Sequence, residues 1–318
     1  MGPPLGRQRK GTPLNEINPG QTFHTSLLVD ELLQYLIGGL SQGAIYGMVG
    51  VGFVMIYNVT GVVNFAQGEF VMVGAMVAST LMAAGWSLPL VFVGATLAAA
   101  ALGALTERVA IAPARDSSTM TLIIITIGVT FALEGAALLV FGASPRRYPP
   151  FSEGEPIDIL GAAMSRQSLW VLGFAALVSA LLWWFFGAAT LGKAMRATEM
   201  DPMAARLQGI HPGRMSLAAF TISTAIAGAA GVVLVPITSA SYDMGVPLAL
   251  KGFTAAVVGG LVSAPGAVVG GLLLGAIEFL AAGYISSGTS EGIAFAVLFL
   301  VLVLRPSGLV STVGAKRV

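Results

Sequence analysis

Apolar runs long enough to cross a bilayer follow one another along almost the whole chain, and they leave little choice of fold. They fall at about residues 32 to 57, 62 to 84, 88 to 110, 119 to 141, 168 to 188, 215 to 237, 252 to 285 and 291 to 305. About 30 Å of hydrocarbon takes about 20 helical residues to cross. A membrane β-barrel would instead show strict alternation of apolar and polar residues. Runs such as TLIIITIGVTFALEGAALLVFG (Thr121 to Gly142) do not alternate. The pattern predicts an all-α, polytopic transmembrane helical bundle of about 8 segments, or 8 to 10 with broken or re-entrant pieces counted.

Composition narrows the function. Only 10% of the 318 residues are charged and 56% are hydrophobic, against about 25% charged in a soluble domain. The net charge of +1 and the lack of long Lys/Arg clusters exclude a nucleic-acid partner. Cysteine is absent, and with it disulfides, thiolate metal sites and cysteine nucleophiles; two histidines, His24 and His211, exclude a histidine-rich metal or haem centre. The 41 glycines suit helices that pack backbone to backbone in lipid or are broken to make a path.

Residues 1–30 read as a flexible tail, 31–310 as a single membrane domain and 311–318 as a C-terminal tail. The run from 252 to 285 is too long for one simple helix. Gly259, Gly260, Pro265 and Gly266 within GGLVSAPGAVVGG mark a break into a half-helix and a longer helix. Lys193, Arg196, Arg206 and Arg214 place the loop from 188 to 215 on the cytoplasmic side. Counting crossings back from there puts 143–167 outside, where Arg146, Arg147 and Arg166 are offset by Glu153, Glu155 and Asp158. The same count puts the basic N-terminal tail outside, against the positive-inside rule, unless the first spans hide a re-entrant piece.

Two short motifs carry no function. GAATLGKA (Gly187 to Ala194) mimics a phosphate-binding loop, but Ala194 replaces the Mg²⁺-binding hydroxyl and the segment leaves an apolar helix instead of a core strand. Asn58-Val59-Thr60 forms a glycosylation sequon hemmed in by apolar spans. The loop 191–215 is more informative. Asp201 is a candidate N-cap, Pro202 the first helical residue and Gly209 the stop of a short helix, on which Ala204 and Ala205 would leave a smooth patch for another protein. An ordinary solvated connector would also be basic there.

Glu69, Glu134 and Glu278 stand in apolar surroundings, where a carboxylate costs at least about 2.5 kcal/mol at mid-membrane. A relay role competes with simple satisfaction by helix N-termini or polar neighbours. Satisfaction is favoured for Glu134 and Glu278, for which no intramembrane base stands out as a partner. In YNVTGVVNFAQGEF (Tyr57 to Phe70), Asn64 is a plausible N-cap, Gln67 lies three residues on, and Glu69 falls in the first turn at the positive end of the helix. A helix that restarts inside the membrane is tolerated only where protein or a watery cavity satisfies its backbone. The candidate translocation path is accordingly Asn58, Asn64, Gln67 and Glu69.

NVTGVVNFAQGEFVMVGAMVA, TLGKAMRATEMDPMAARLQGI and LKGFTAAVVGGLVSAPGAVVGGLLLGAIE together resemble the permeases of branched-chain amino acid ABC importers, in order from about residue 33 to 309. The resemblance implies a permease subunit without an ATPase or cofactor of its own, ATP-Mg being bound by partner chains. The implied partners are a second, homologous permease, two cytoplasmic ABC ATPase subunits and a periplasmic solute-binding protein, around a multi-pass chain in the bacterial inner membrane. It likens 191–215 to an ATPase coupling loop, with Arg196, Asp201, Ala204, Ala205 and Gly209 in it; Met203 departs from the Glu common in that motif. The competing class is an ion-coupled secondary transporter or channel for small polar solutes, using one of the buried glutamates and needing no ATPase. An intramembrane enzyme has no catalytic constellation to support it.

Overall fold

A computed structural model describes residues 19–159, 161–305 and 308–309. Residues 1–18 of the expected N-terminal tail and the expected C-terminal tail 311–318 lie outside the described residues. The helices are α1 (Pro19–Thr60), α2 (Gln67–Ala83), α3 (Leu88–Thr106), α4 (Thr119–Phe141), α5 (Arg166–Ala188), α6 (Thr190–Met200), α7 (Pro202–Leu207), α8 (Pro212–Thr238), α9 (Gly245–Gly259), α10 (Ala264–Tyr284) and α11 (Ser290–Leu304). α3 runs on through a π-helical turn, Glu107–Ile111, and a 3₁₀ turn, Ala112–Ala114. α1 begins at Pro19, within the stretch read as a tail. Strands β1 (Ile157–Ile159) and β2 (Ala162–Met164) form a small antiparallel hairpin between α4 and α5.

Among the described residues, six helices are long and apolar enough to cross a membrane: Asp30–Thr60, Leu88–Ala114, Thr119–Phe141, Arg166–Ala188, Pro212–Thr238 and Ala264–Tyr284. Two further apolar helices, α2 and α9, are shorter. Burial separates centre from rim. The most apolar stretch of α1 is 89% buried and that of α8 72%, against 22%, 17% and 22% for the spans of α3, α4 and α5. α1 and α8 are therefore the axis, and the others turn apolar faces outward.

Close backbone approach explains much of the glycine. Along α1, Gly39, Gly43 and Gly47 meet Gly275, Gly271 and Val268 of α10 so tightly that a Cβ on any of the three would sit within about 3 Å of main-chain atoms. Packing also reveals a repeat. α1 packs on α10 as α3 does on α8, α2 on α3 as α9 on α10, and α2 on α8 as α9 on α1, so exchanging α1–α3 with α8–α10 maps the contacts onto themselves. The β-hairpin receives the start of α1, where Gln34 Nε2 donates to the Ala163 carbonyl at 3.0 Å, and the same connecting segment receives the end of α8, through Arg146 N to the Ala240 carbonyl at 2.8 Å. The two triplets thus run in opposite directions, as an inverted repeat.

The same end of the bundle gives the basic residues of the 143–167 segment partners. Pro236 inside α8 has no N–H, which frees the Val232 carbonyl to accept from Tyr148 Oη, while Gln167 Nε2 donates to the Val233 carbonyl at 2.9 Å. Arg147 donates to the carbonyls of Pro236 and Ile237 at the end of α8, and Arg146 to that of Phe141 at the end of α4. These guanidiniums cap the negative ends of helices.

Candidate functional site

The chain leaves α1 through Gly61, whose φ of +69° turns it sharply, and climbs back into the bundle as an irregular segment before α2 begins. Thr126 Oγ1 on α4 accepts from Phe65 N at 3.3 Å, and Asn64 Oδ1 accepts from Ala66 N at 3.2 Å. The N-cap of α2 is Ala66, with no side-chain cap bond, so Asn64 does not cap the helix as its sequence position suggests. It folds the turn two residues earlier, as asparagine does in an Asx turn. Gln67, the first residue of α2, reaches Ser223 Oγ at 3.1 Å and packs against Gly52; Ser223 also donates to the Gly52 carbonyl at 3.0 Å. Both neighbours lie well inside α1 and α8, so α2 restarts within the bundle.

α9 restarts opposite. A Cβ on Gly68 would collide with the Gly245 carbonyl, and one on Gly245 would collide with the Glu69 carboxylate. Two half-helices therefore meet N-terminus to N-terminus, with backbone against backbone. Both positive dipole ends point at the same place. Asn64 and Gln67 are fully buried and Glu69 is 1% exposed. Among the described residues, Asn64 Nδ2, Gln67 Nε2 and both oxygens of Glu69 have no hydrogen-bond partner. Phe253, on α9, stacks at a tilt with Phe65 and edge-on with Phe53 of α1, at centroid distances of 5.7 and 5.8 Å, and lays an apolar wall beside the junction.

The second buried carboxylate is differently placed. Lys251 Nζ lies 2.6 Å from Glu278 Oε1 and donates to Tyr46 Oη at 3.2 Å, tying α9, α10 and α1 together. This corrects the expectation that Glu278 lacks a basic partner. Lys251 sits just ahead of the apolar run at 252 and reads as a span boundary, whereas α9 begins at Gly245 and carries it into the bundle. Glu134 is partly buried on α4.

Asn58 lies apart from the other three path residues. Its Nδ2 donates to the Val262 carbonyl at 3.1 Å, and it lines a cavity of about 360 Å³ with Trp183, Arg196, Ser263 and Pro265. The chain is interrupted here: α9 stops at Gly259, Gly260 has φ of +103°, and Ser263 Oγ accepts from Gly266 N at 3.1 Å to start α10, with Pro265 in its first turn. In the 191–215 loop, Asp201 Oδ1 accepts from Met203 N and Ala204 N at 2.8 and 3.0 Å, capping α7. Gly209, at φ +79°, ends it, with Ile210 N donating to the Ala205 carbonyl at 3.0 Å. Ala205 faces inward at 3% exposure. The outward surface keeps Ala204 and adds Met203 and Leu207, at 65% and 83%. Arg196 of α6 lies over the Phe186 ring at 5.9 Å.

Residues 35–303 match the model of a family described as the permease component of branched-chain amino acid transport systems. The chain belongs to that family. Relatives of this permease span nearly its whole length. It is 32% identical to the high-affinity branched-chain amino acid transport permease LivH of Escherichia coli K12, over 90% of this chain and 97% of LivH, and 32% identical to BraD of Pseudomonas aeruginosa, over 90% and 98%. A probable LivH of Methanocaldococcus jannaschii is 26% identical, over 89% and 94%.

Sequence reasoning missed Lys251, Tyr46, Ser223 and the Gly68–Gly245 contact in this permease. Lys251 could have been found as a lysine four residues C-terminal to Pro247, had GVP (Gly245 to Pro247) been read as a helix start. Ser223 carries no sequence signal beyond a hydroxyl in an apolar run.

Proposed function

We propose that this permease is the membrane-spanning subunit of an ATP-driven importer of branched-chain amino acids or close relatives in a bacterial inner membrane. A second, homologous permease stands beside it, two ABC ATPase subunits bind its cytoplasmic face, and a periplasmic solute-binding protein delivers the solute. ATP-Mg is held by the ATPases alone. The observation that carries the transport site is the junction of α2 and α9. An α-amino acid is a zwitterion with an apolar tail, and the junction offers an unpaired carboxylate for the ammonium, two helix N-termini for the carboxylate and three phenylalanines for the tail. The site is closed to solvent in this conformation, which suits a transient station between outward- and inward-open states. Asn64 and Gln67 hold the break in α2, and Asn58 lines the cytoplasmic cavity beyond it. Exposed Met203 and Leu207 on α7 support docking of an ATPase groove, with Asp201 and Gly209 fixing the shape of the helix and Arg196 the preceding turn.

The test is leucine uptake into proteoliposomes holding the permease with its ATPase and binding-protein partners. Uptake should require internal ATP on the nucleotide side and should not follow an imposed proton or sodium gradient. Gradient-driven uptake by this chain alone would overturn the reading.

A further inference from the structure

The cytoplasmic end of the bundle carries a second opening, with no part in the α2–α9 junction. It is a cavity of about 570 Å³ between the end of α3 and the start of α8, lined by Arg108, Arg115, Arg206, Arg214 and His211 around a single acid, Glu107. Glu107 is already spoken for, paired with Arg115. The guanidiniums of Arg108, Arg206 and Arg214 make no hydrogen bond or ion pair among the described residues, in contrast to those of Arg146 and Arg147 at the opposite end, which are both bonded to carbonyls.

The helix dipole adds to the excess of positive charge. α8 is 27 residues long, and its N-cap His211 makes no side-chain cap bond. The Arg115 guanidinium lies against Gly213 in its first turn. A cation at the positive end of a helix is unfavourable, and three more surround it. Such a site is stable when an anion occupies it. The cavity also borders the outward apolar face of α3, where Leu105 and Val109 are 55% and 67% exposed on either side of Arg108. A ligand with a phosphate and hydrocarbon tails fits both features at once.

We propose that this cavity binds the phosphate of an anionic phospholipid from the inner leaflet, with the acyl chains lying along Leu105 and Val109. The bound phosphate would brace the end of α3 against α7 and α8, the segments that carry the coupling loop. The site is independent of the transported solute, so it stands or falls apart from the transport reading.

The test uses the full chain in mixed micelles titrated with phosphatidylglycerol against a phosphatidylcholine background, with retained lipid read by native mass spectrometry. At about 1 kcal/mol per basic residue near a lipid surface, each arginine lost should weaken retention about fivefold. Arg206→Gln with Arg214→Gln should therefore cost about twentyfold or more, and Lys at both positions should restore most of it, because a point charge suffices for phosphate. Arg196→Gln, in the same cytoplasmic layer outside the cavity, should leave retention unchanged. An equal loss in Arg196→Gln, or no preference for phosphatidylglycerol in the unmodified chain, would overturn the proposal. Displacement of the lipid by millimolar inorganic phosphate would reassign the site to a free anion. If the arginine pair left lipid retention intact and weakened ATPase binding, the cavity would be a protein contact and the lipid proposal would fall.

Discussion

Glu69 and Glu278 are both glutamates buried among apolar helices, and they are held in opposite ways. Glu278 is paired with Lys251, and Tyr46 accepts a further bond from that lysine. Glu69 lies against Gly245 at the meeting of two half-helices, with neither oxygen hydrogen-bonded among the described residues. A buried ion pair returns at most its own desolvation cost, so its use is to fix how α1, α9 and α10 meet. An unpaired carboxylate returns nothing to the fold except what two helix dipoles offset. Glu278 thus ties helices together, whereas Glu69 makes no side-chain bond among the described residues.

Breaking the Glu278 pair should give the largest effect. Lys251→Met leaves a buried carboxylate without its partner and should cost about 3–5 kcal/mol in unfolding free energy measured in micelles. The double change Lys251→Met, Glu278→Leu should recover most of that stability, since apolar groups of similar volume often replace a buried pair without loss. A double variant as unstable as the single one would mean that Tyr46, and not the charge balance, is what matters there. Glu69→Gln should do the reverse. It keeps the shape and removes a charge that the two helix dipoles offset, so stability should change by less than about 1 kcal/mol, while leucine uptake falls about tenfold or more. Unchanged uptake in Glu69→Gln, with ATP present on the correct side, would take the ammonium role away from Glu69.

A change remote from both carboxylates calibrates the pair. Gly209 has φ of +79°, where a β-branched residue is strained by about 1–2 kcal/mol. Gly209→Val should distort α7 and its exposed Met203 and Leu207, so that ATP hydrolysis by the partner continues while uptake drops several-fold. Full uptake in that variant would detach the loop from energy coupling.

What could be read in the sequence follows from which signals are local. Span positions and the interruption near Pro265 are written in runs of apolar residues and in glycine-proline chemistry, which act within one helix turn or two. The cap of α7 at Asp201 is equally local. The polar stretch at Asn64–Glu69 announced a break, but the cap geometry came out differently because the turn is closed by Asn64 on Ala66 and braced by Thr126, 61 residues away. Lys251–Glu278 joins two helices across the Gly259–Ala264 break, and its meaning depends on where α9 begins. The meeting of Gly68 with Gly245 depends on an inverted repeat whose halves share packing and not an obvious motif. Long-range placement of this kind leaves only single residues behind in the sequence.

The smallest expected effect tests the frame around Glu69 instead of the carboxylate itself. Ser223 Oγ on α8 holds Gln67 at 3.1 Å and the Gly52 carbonyl at 3.0 Å, so one hydroxyl fixes the first residue of α2 against two central helices. Ser223→Ala removes the single hydroxyl proton shared between the Gly52 carbonyl and Gln67 Oε1, at a cost of about 1 kcal/mol in unfolding. Because Gln67 begins the turn that aims Glu69 at Gly245, the KM for uptake should rise about two- to fivefold, with the maximal rate changed less. Glu69→Gln should instead lower both the maximal rate and the ratio. If Ser223→Ala and Glu69→Gln reduced uptake by the same factor with the same change in KM, Glu69 would be one more brace of the break in α2, and the contrast with Glu278 would shrink to a difference in partners.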